Sequence, residues 1–268
     1  MSAPRPGPRA VELRDPAYVA RLLPLLKLAM RTWFRSSVTG MEHVPEGGAL
    51  MVSNHSGGLL AMDVPILATA FADEFGVERP LHVLAHDLLF TGAAGPFFTR
   101  CGFLPADREH AHEVLSAGSV TMVFPGGDYD VFRPTRAANV VDFDGRTGYV
   151  RTALRAGVPI VPVVSIGGQE AQLFLTRGEA IGKVLHLEKL LRSRFFPVSV
   201  GFPFGVVGAF PPNLPLPTKI TTRVLEPIDP VSELGPDPDP ASVDALVRAR
   251  MQHALDELAR ARRFPVLG

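Results

Sequence analysis

Cysteine occurs once in these 268 residues, as Cys101. A disulfide framework is excluded, and a cysteine-built zinc site is not expected, which suits a reducing compartment. Cys101 has no activating partner near it in sequence, so it is not read as a nucleophile. An excess of either charge is also missing: 27 Lys and Arg balance 27 Asp and Glu. General nucleic-acid binders usually carry a basic excess, so no nucleic-acid partner is expected. Long apolar runs are absent too. Leu22 to Met30 is interrupted by Pro24 and Lys27, and the uncharged stretch 195–218 is broken throughout by proline. Neither reads as a spanning helix. The Pro- and Arg-rich residues 1–9 are not followed by the apolar core and cleavage site of a secretory signal. His82 and His86 lack the His-Glu-x-x-His pattern, and His110 and His112 lack a third ligand, so no metal is expected.

What is present suits one large α/β domain. The apolar fraction is 46%, with 25 Gly and 26 Pro, which implies many short elements joined by tight turns. Residues 1–14 read as a disordered lead. Residues 15–40 begin with Asp15 as N-cap and Pro16 at the first helical position, and carry a broad apolar side. With Arg21, Lys27, Arg31 and Arg35 beside it, this amphipathic helix either lies in a membrane interface or packs on its own domain. Residues 41–230 form the main domain, and 241–262 a C-terminal helix that packs on it.

Within the main domain, strands and helices alternate. Strands are predicted at 49–53, 81–85, 120–124 and 158–166, with a late one within 219–226. Helices are predicted from Val64, over 107–117 and over 146–156, with a polar loop at 125–144. Pro159 and Pro162 are expected near a strand start or a sheet edge. This alternation predicts a mostly parallel central sheet flanked by helices.

Four segments could carry chemistry. The first is Ser53-Asn-His-Ser-Gly-Gly, followed by Asp63. A histidine just after a strand sits where α/β folds present reactive groups, and imidazole has the pKa of a general base. A carboxylate would fix its tautomer, and Asp63 is the nearest one downstream; Asp63-Val-Pro also reads as a helix start. The second segment is Gly102-Phe-Leu-Pro-Ala-Asp-Arg108, and the third is Phe124-Pro-Gly-Gly-Asp-Tyr-Asp-Val-Phe-Arg133. Backbone N–H groups at Gly126 and Gly127 could hold an oxyanion or phosphate, with Arg108 and Arg133 as cations. The fourth segment is Val158-Pro-Ile-Val-Pro162, a buried strand.

These four segments, in this order, resemble the lysophospholipid/glycerolipid acyltransferase superfamily, including the bacterial 1-acylglycerol-3-phosphate acyltransferases. The resemblance covers about residues 35–230. It implies transfer of a fatty acyl group from acyl-CoA or acyl-carrier protein to a lipid hydroxyl, without a metal or covalent acyl-enzyme. It implies His55 as general base, Asp63 as its charge partner, Arg108 on the acceptor headgroup and Gly126 and Gly127 in the acceptor loop. Gly57 and Gly58 join them as oxyanion candidates. A peripheral place on the cytoplasmic, inner face of the cell membrane follows as an expectation. Two departures stand out. The family pattern puts four residues between His and Asp, where this chain has Leu60, so either the loop bulges to return Asp63 or Asp87 serves instead. Phe-Pro-Gly-Gly replaces Phe-Pro-Glu-Gly-Thr-Arg, leaving Arg133 or Arg136 as substitutes and bringing the chain nearer the mono- and diacylglycerol acyltransferase branch. Two other readings remain: a catalytically idle lipid-binding module, and a serine esterase, which lacks its Gly-x-Ser-x-Gly elbow.

Overall fold

The computed structural model describes residues 10–58, 60–188, 194–208, 211–264 and 266. Residues 1–9 of the expected disordered lead lie outside this set. The rest of the lead is ordered: Ala10–Leu13 forms a 3-10 turn. Its Ala10 is buried with Leu104 and Val114, and its N–H reaches Glu113 at 2.9 Å.

Helix α1 (Pro16–Thr32) starts where the capping rule puts it, with Asp15 accepting the Tyr18 N–H at 2.9 Å. It ends before residue 40, and strand β1 (Ser37–Thr39) follows. Then come β2 (Ala49–Ser53), α2 (Asp63–Phe75), β3 (Leu81–Ala85), α3 (Gly95–Arg100) and β4 (Phe103–Pro105). Next are α4 (Arg108–Ser116), β5 (Val120–Val123), α5 (Gly127–Val131), α6 (Gly148–Ala156) and β6 (Ile160–Ile166). Helix α7 (Gly168–Ala171) leads into β7 (Leu173–Thr176), α8 (Glu179–Val184), β8 (Val198–Gly201) and β9 (Gly205–Val207). Strand β10 (Thr221–Val224), α9 (Pro230–Leu234) and α10 (Pro240–Ala261) finish the chain. The polar loop 125–144 is therefore not all loop, since α5 and a 3-10 turn at Thr135–Ala137 interrupt it.

The main sheet has the order β1-β10-β6-β2-β5-β3-β4. Among the described residues, β10 with β6 is the one antiparallel pair of its strands, extended by an antiparallel bridge between Ile160 and Ile228. Pro159 and Pro162 were expected near a strand start or an edge; Pro159 directly precedes β6 and Pro162 is its third residue, while β6 itself lies between β2 and β10. The position is tolerated because the β10 ladder stops at Val224 opposite Val163. Beyond that point Pro162 has only to accept, and its carbonyl takes the Leu225 N–H at 2.9 Å.

Helix α2 covers one face of the sheet, where Leu67 and Phe71 pack on Met51, Met122 and Val163. Helices α6 and α10 cover the other, where Ala153, Val247 and Met251 meet Leu50, Ile160 and Val164. Each such fully buried side chain is worth about 1.5–3 kcal/mol. Helix α1 packs on α2 through Met30 and Ile66, and its Lys27 and Arg31 both pair with Asp73. Its other side stays bare, with Leu25 70% and Leu28 59% exposed. Strands β7, β8 and β9 form a small separate sheet. Phe202, Phe204 and Val206 project from it into solvent. Among the described residues, no helix is long and apolar enough to cross a membrane.

Connection geometry selects the site. The chain leaves β2 over the α2 face towards β3, and leaves β5 over the opposite face towards β6. Strands β2 and β5 are neighbours, so the crevice beyond their carboxyl ends is the topological switch point of the sheet.

Candidate active site

His55 and the Phe124-Pro125-Gly126-Gly127 turn occupy that crevice, directly after β2 and β5. The loop after β2 is fastened at every residue up to His55. Asn54 uses its side-chain amide as a surrogate peptide: Nδ2 donates to Ser165 O and Oδ1 accepts from Ser165 N, both at 2.9 Å. The His55 N–H donates to Asp130 Oδ2 at 2.7 Å. The imidazole lies flat on Phe124, with ring centroids 4.1 Å apart and planes 7° apart.

Asp63 is the ring's carboxylate partner. Its Oδ2 and Oδ1 lie 3.2 and 3.3 Å from His55 Nδ1. Oδ2 also accepts the Ser56 N–H at 2.8 Å, and Oδ1 the Val64 N–H at 3.0 Å. The eight-residue separation is absorbed by a bulge in which Gly57, Gly58 and Ala61 all take positive φ. Asp63 becomes the first residue of α2, and Asp87 is exposed at a separate 3-10 turn. A carboxylate can only accept, so Nδ1 carries the proton. Nε2 takes no hydrogen bond among the described residues, and the residue as a whole is 9% exposed. Burial, the largest single influence, pushes the His55 pKa down; the charge and hydrogen bond of Asp63, with the charge of Asp130, together outweigh it and leave it above an ordinary histidine.

The remaining residues divide between the crevice and its supports. Gly57 packs on Gln169, where an added Cβ would lie 2.8 Å from Gln169 Cγ. Gly168 sits beneath the same loop, its virtual Cβ 2.4 Å from Ser56 Oγ. Gly126 faces Asp130, and Gly127 has φ of +48°. Arg133, expected to present a cation to the acceptor, is buried instead. Its guanidinium holds Asp130 Oδ1 at 2.9 Å and the Asp142 carbonyl at 3.2 Å. Arg136 is exposed on the 3-10 turn. Arg108 opens α4 and lines a depression of about 210 Å³ together with Leu50, Val123, Pro125 and Arg146. Leu50 and Val123 pack on the α6 and α10 side, whereas the Phe124 ring under His55 packs on the α2 side. Arg146 is itself tied to Gly126 O at 2.9 Å and Asp128 at 3.0 Å. Two serines near the site are closed off as esterase nucleophiles. Ser56 is fully buried, and Ser165 Oγ bonds Thr222 Oγ1 at 2.7 Å. Among the described residues, no group of three or more His, Cys, Asp or Glu could hold a metal ion.

Sequence reasoning missed Asp130 and Arg146. Only the Asp–Arg spacing of three on a short turn hinted at the first. The second depends on contacts between distant segments.

Comparison with known proteins shows the family. Residues 35–166 match the family model described as Acyltransferase. An uncharacterized protein of Mycobacterium tuberculosis is 33% identical, over 93% of this chain and 69% of that one. The chain therefore belongs to the acyltransferase family, and by class it is an O-acyltransferase. The mouse DGAT1/2-independent enzyme synthesizing storage lipids is 28% identical, over 72% of this chain and 56% of its own length. Human 2-acylglycerol O-acyltransferase 3 is 26% identical, over 63% and 51%. The crystal structure of the 1-acyl-sn-glycerophosphate acyltransferase PlsC from Thermotoga maritima superposes with a TM-score of 0.57 at 19% identity, covering 91% of this chain and 81% of that one. The fold is thus that of the bacterial enzyme.

Proposed function

We propose that this protein moves a fatty acyl group from acyl-CoA or acyl-carrier protein onto the hydroxyl of a glycerolipid, with His55 as general base and a neutral acylglycerol as the favoured acceptor. One observation carries the chemistry: an imidazole whose Nδ1 is held by a buried carboxylate, and whose Nε2 is free at the switch crevice. His55 Nε2 removes the acceptor hydroxyl proton, and the oxygen attacks the thioester carbonyl. Backbone N–H groups of the Gly57-Gly58 or Gly126-Gly127 turns face the developing oxyanion. Collapse breaks the carbon–sulfur bond, and the imidazolium returns its proton to the departing thiolate. Asp63 supports the charged ring throughout.

The neutral acceptor is favoured by the state of the cations. Arg133 is given to Asp130, Arg146 to Asp128, and Arg108 opens on a depression lined from the opposite sheet face. The names of the mouse and human relatives point the same way. The bare side of α1 and the apolar tips of the β7-β8-β9 sheet would meet a lipid surface. The test is acyl transfer from palmitoyl-CoA by wild type and His55→Ala onto lysophosphatidic acid, other lysophospholipids, monoacylglycerol and diacylglycerol. Product with wild type alone, greatest on the neutral acceptors, is expected. Transfer by His55→Ala at the wild-type rate overturns the base, and a preference for lysophosphatidic acid overturns the neutral acceptor.

A further inference from the structure

Asp130 lies 75 residues from His55 in sequence, yet its buried carboxylate accepts the His55 main-chain N–H. A buried carboxylate needs several donors, and this one has three: Oδ2 receives the His55 N–H at 2.7 Å, while Oδ1 receives Arg133 Nη2 at 2.9 Å and Nε at 3.2 Å. Arg133 is held in turn by the Asp142 carbonyl. The contact reaches the main chain of His55, whereas Asp63 holds its ring.

Gly126 belongs to the same arrangement. A Cβ at that position would lie 2.5 Å from Asp130 Cβ and 3.1 Å from its Oδ2. The turn after β5 can carry no side chain there, because the carboxylate reaching in from α5 fills the space. The glycine and the aspartate are therefore complementary, and the acidic group of this loop comes from position 130 rather than 126.

We infer that Asp130, anchored by Arg133, is a positioning residue that fixes the backbone of His55 and supplies a second negative charge to its imidazolium. This rests on His55 being the base. The charged groups facing His55 are Asp63 from the start of α2 and Asp130 from α5, with Arg133 behind Asp130. Burial raises the Asp130 pKa, against the opposing charges of Arg133 and His55 and the three N–H groups donated to it.

Asp130→Asn tests the inference, since Asn can still accept one N–H but carries no charge. Expected are a 10- to 100-fold lower kcat, KM values within about twofold of wild type, and an ascending limb of kcat/KM that moves to lower pH. The sign follows from removing a charge that favours the imidazolium. Asp130→Asn leaves Arg133 buried without its carboxylate and so threatens folding. The double variant Asp130→Asn/Arg133→Met removes both charges, and must reproduce the same kinetic change with a melting temperature near wild type. Asp130→Glu, with its longer arm against Gly126, should restore the pH limb more than the rate. An unmoved pH limb in the folded double variant overturns the inference, as does a kcat loss under threefold. Failure of the base assignment is separable: His55→Ala would then keep its activity, whatever Asp130→Asn does.

Discussion

Replacing Asp63 by Asn changes one atom at a place where both carboxylate oxygens are already committed. Oδ2 receives Ser56 N–H and His55 Nδ1, while Oδ1 receives Val64 N–H and Nδ1. An amide group in either position confronts a buried N–H donor with another donor. One backbone N–H is then unpaired, which costs about 1–3 kcal/mol of stability. If the amide instead turns its NH₂ towards the ring, Nδ1 must accept, the proton moves to Nε2, and the base is lost. Loss of a positioned base costs about 10²–10⁴ in rate, or about 3–5.5 kcal/mol of transition-state stabilisation. The direction in pH is also fixed. Asp63 raises the His55 pKa against the lowering by burial, so its removal lets residual activity rise at lower pH than in wild type. The raised pKa of wild type adds stability that is complete below the ordinary histidine value and fades as pH climbs through the folded one; Asp63→Asn should flatten that dependence. Thiol release from palmitoyl-CoA with an acylglycerol acceptor, followed from about pH 5 to 9, reads the rate across the histidine range. A variant that keeps more than about a tenth of the wild-type rate, with an unmoved ascending limb, refutes the pairing of Asp63 with a catalytic His55.

Phe124→Ala removes the ring under His55 and should cost about 3–5 kcal/mol by chemical denaturation, with kcat falling alongside. Gly168→Ala drives a methyl against Ser56 Oγ and the Ser56 and Gly57 carbonyls, so kcat should fall sharply. Gly148→Ala meets nothing within 4 Å and should raise stability by about 0.4–1 kcal/mol, an internal control read by melting temperature. His82 is buried with neither ring nitrogen partnered, and burial, helped by Arg14, lowers its pKa from 6.5 to about 4. Unfolding below pH 6.5 therefore takes up a proton, and up to about 3 kcal/mol of stability is lost as pH falls from 6.5 towards 4. His82→Leu should remove most of that slope, which urea denaturation at a series of pH values measures.

Strands β2 and β3 and helices α2 and α10 were legible because each is a local pattern: an apolar run, a cap, or a period closed within a few residues. The same holds for α1, whose Asp15-Pro16 start is a chemical signal in itself. Its environment was not legible, since the apolar stripe is split between α2 and solvent, and no moment encodes that division. The segment 125–144 was read as loop because its glycines and aspartates favour turns. Its short helix forms because Asp130 and Arg133, one turn apart, are buried together against a strand end 75 residues away. Arg133 failed as an acceptor cation for the same reason: sequence shows a charge, but not that an acid already holds it. The return of Asp63 to His55 needed positive φ at Gly57, Gly58 and Ala61, and only two of these are glycines that could announce it.

The surrogate peptide made by Asn54 has a kinetic consequence. It joins residues 111 apart, and the His55–Asp130 contact joins residues 75 apart, whereas helices close contacts over four. Loops of that length close late relative to local structure. A refolding chain should therefore regain its helical circular dichroism before its acyl-transfer activity. During synthesis His55 should stay unaligned until β6, more than a hundred residues later, has reached the sheet.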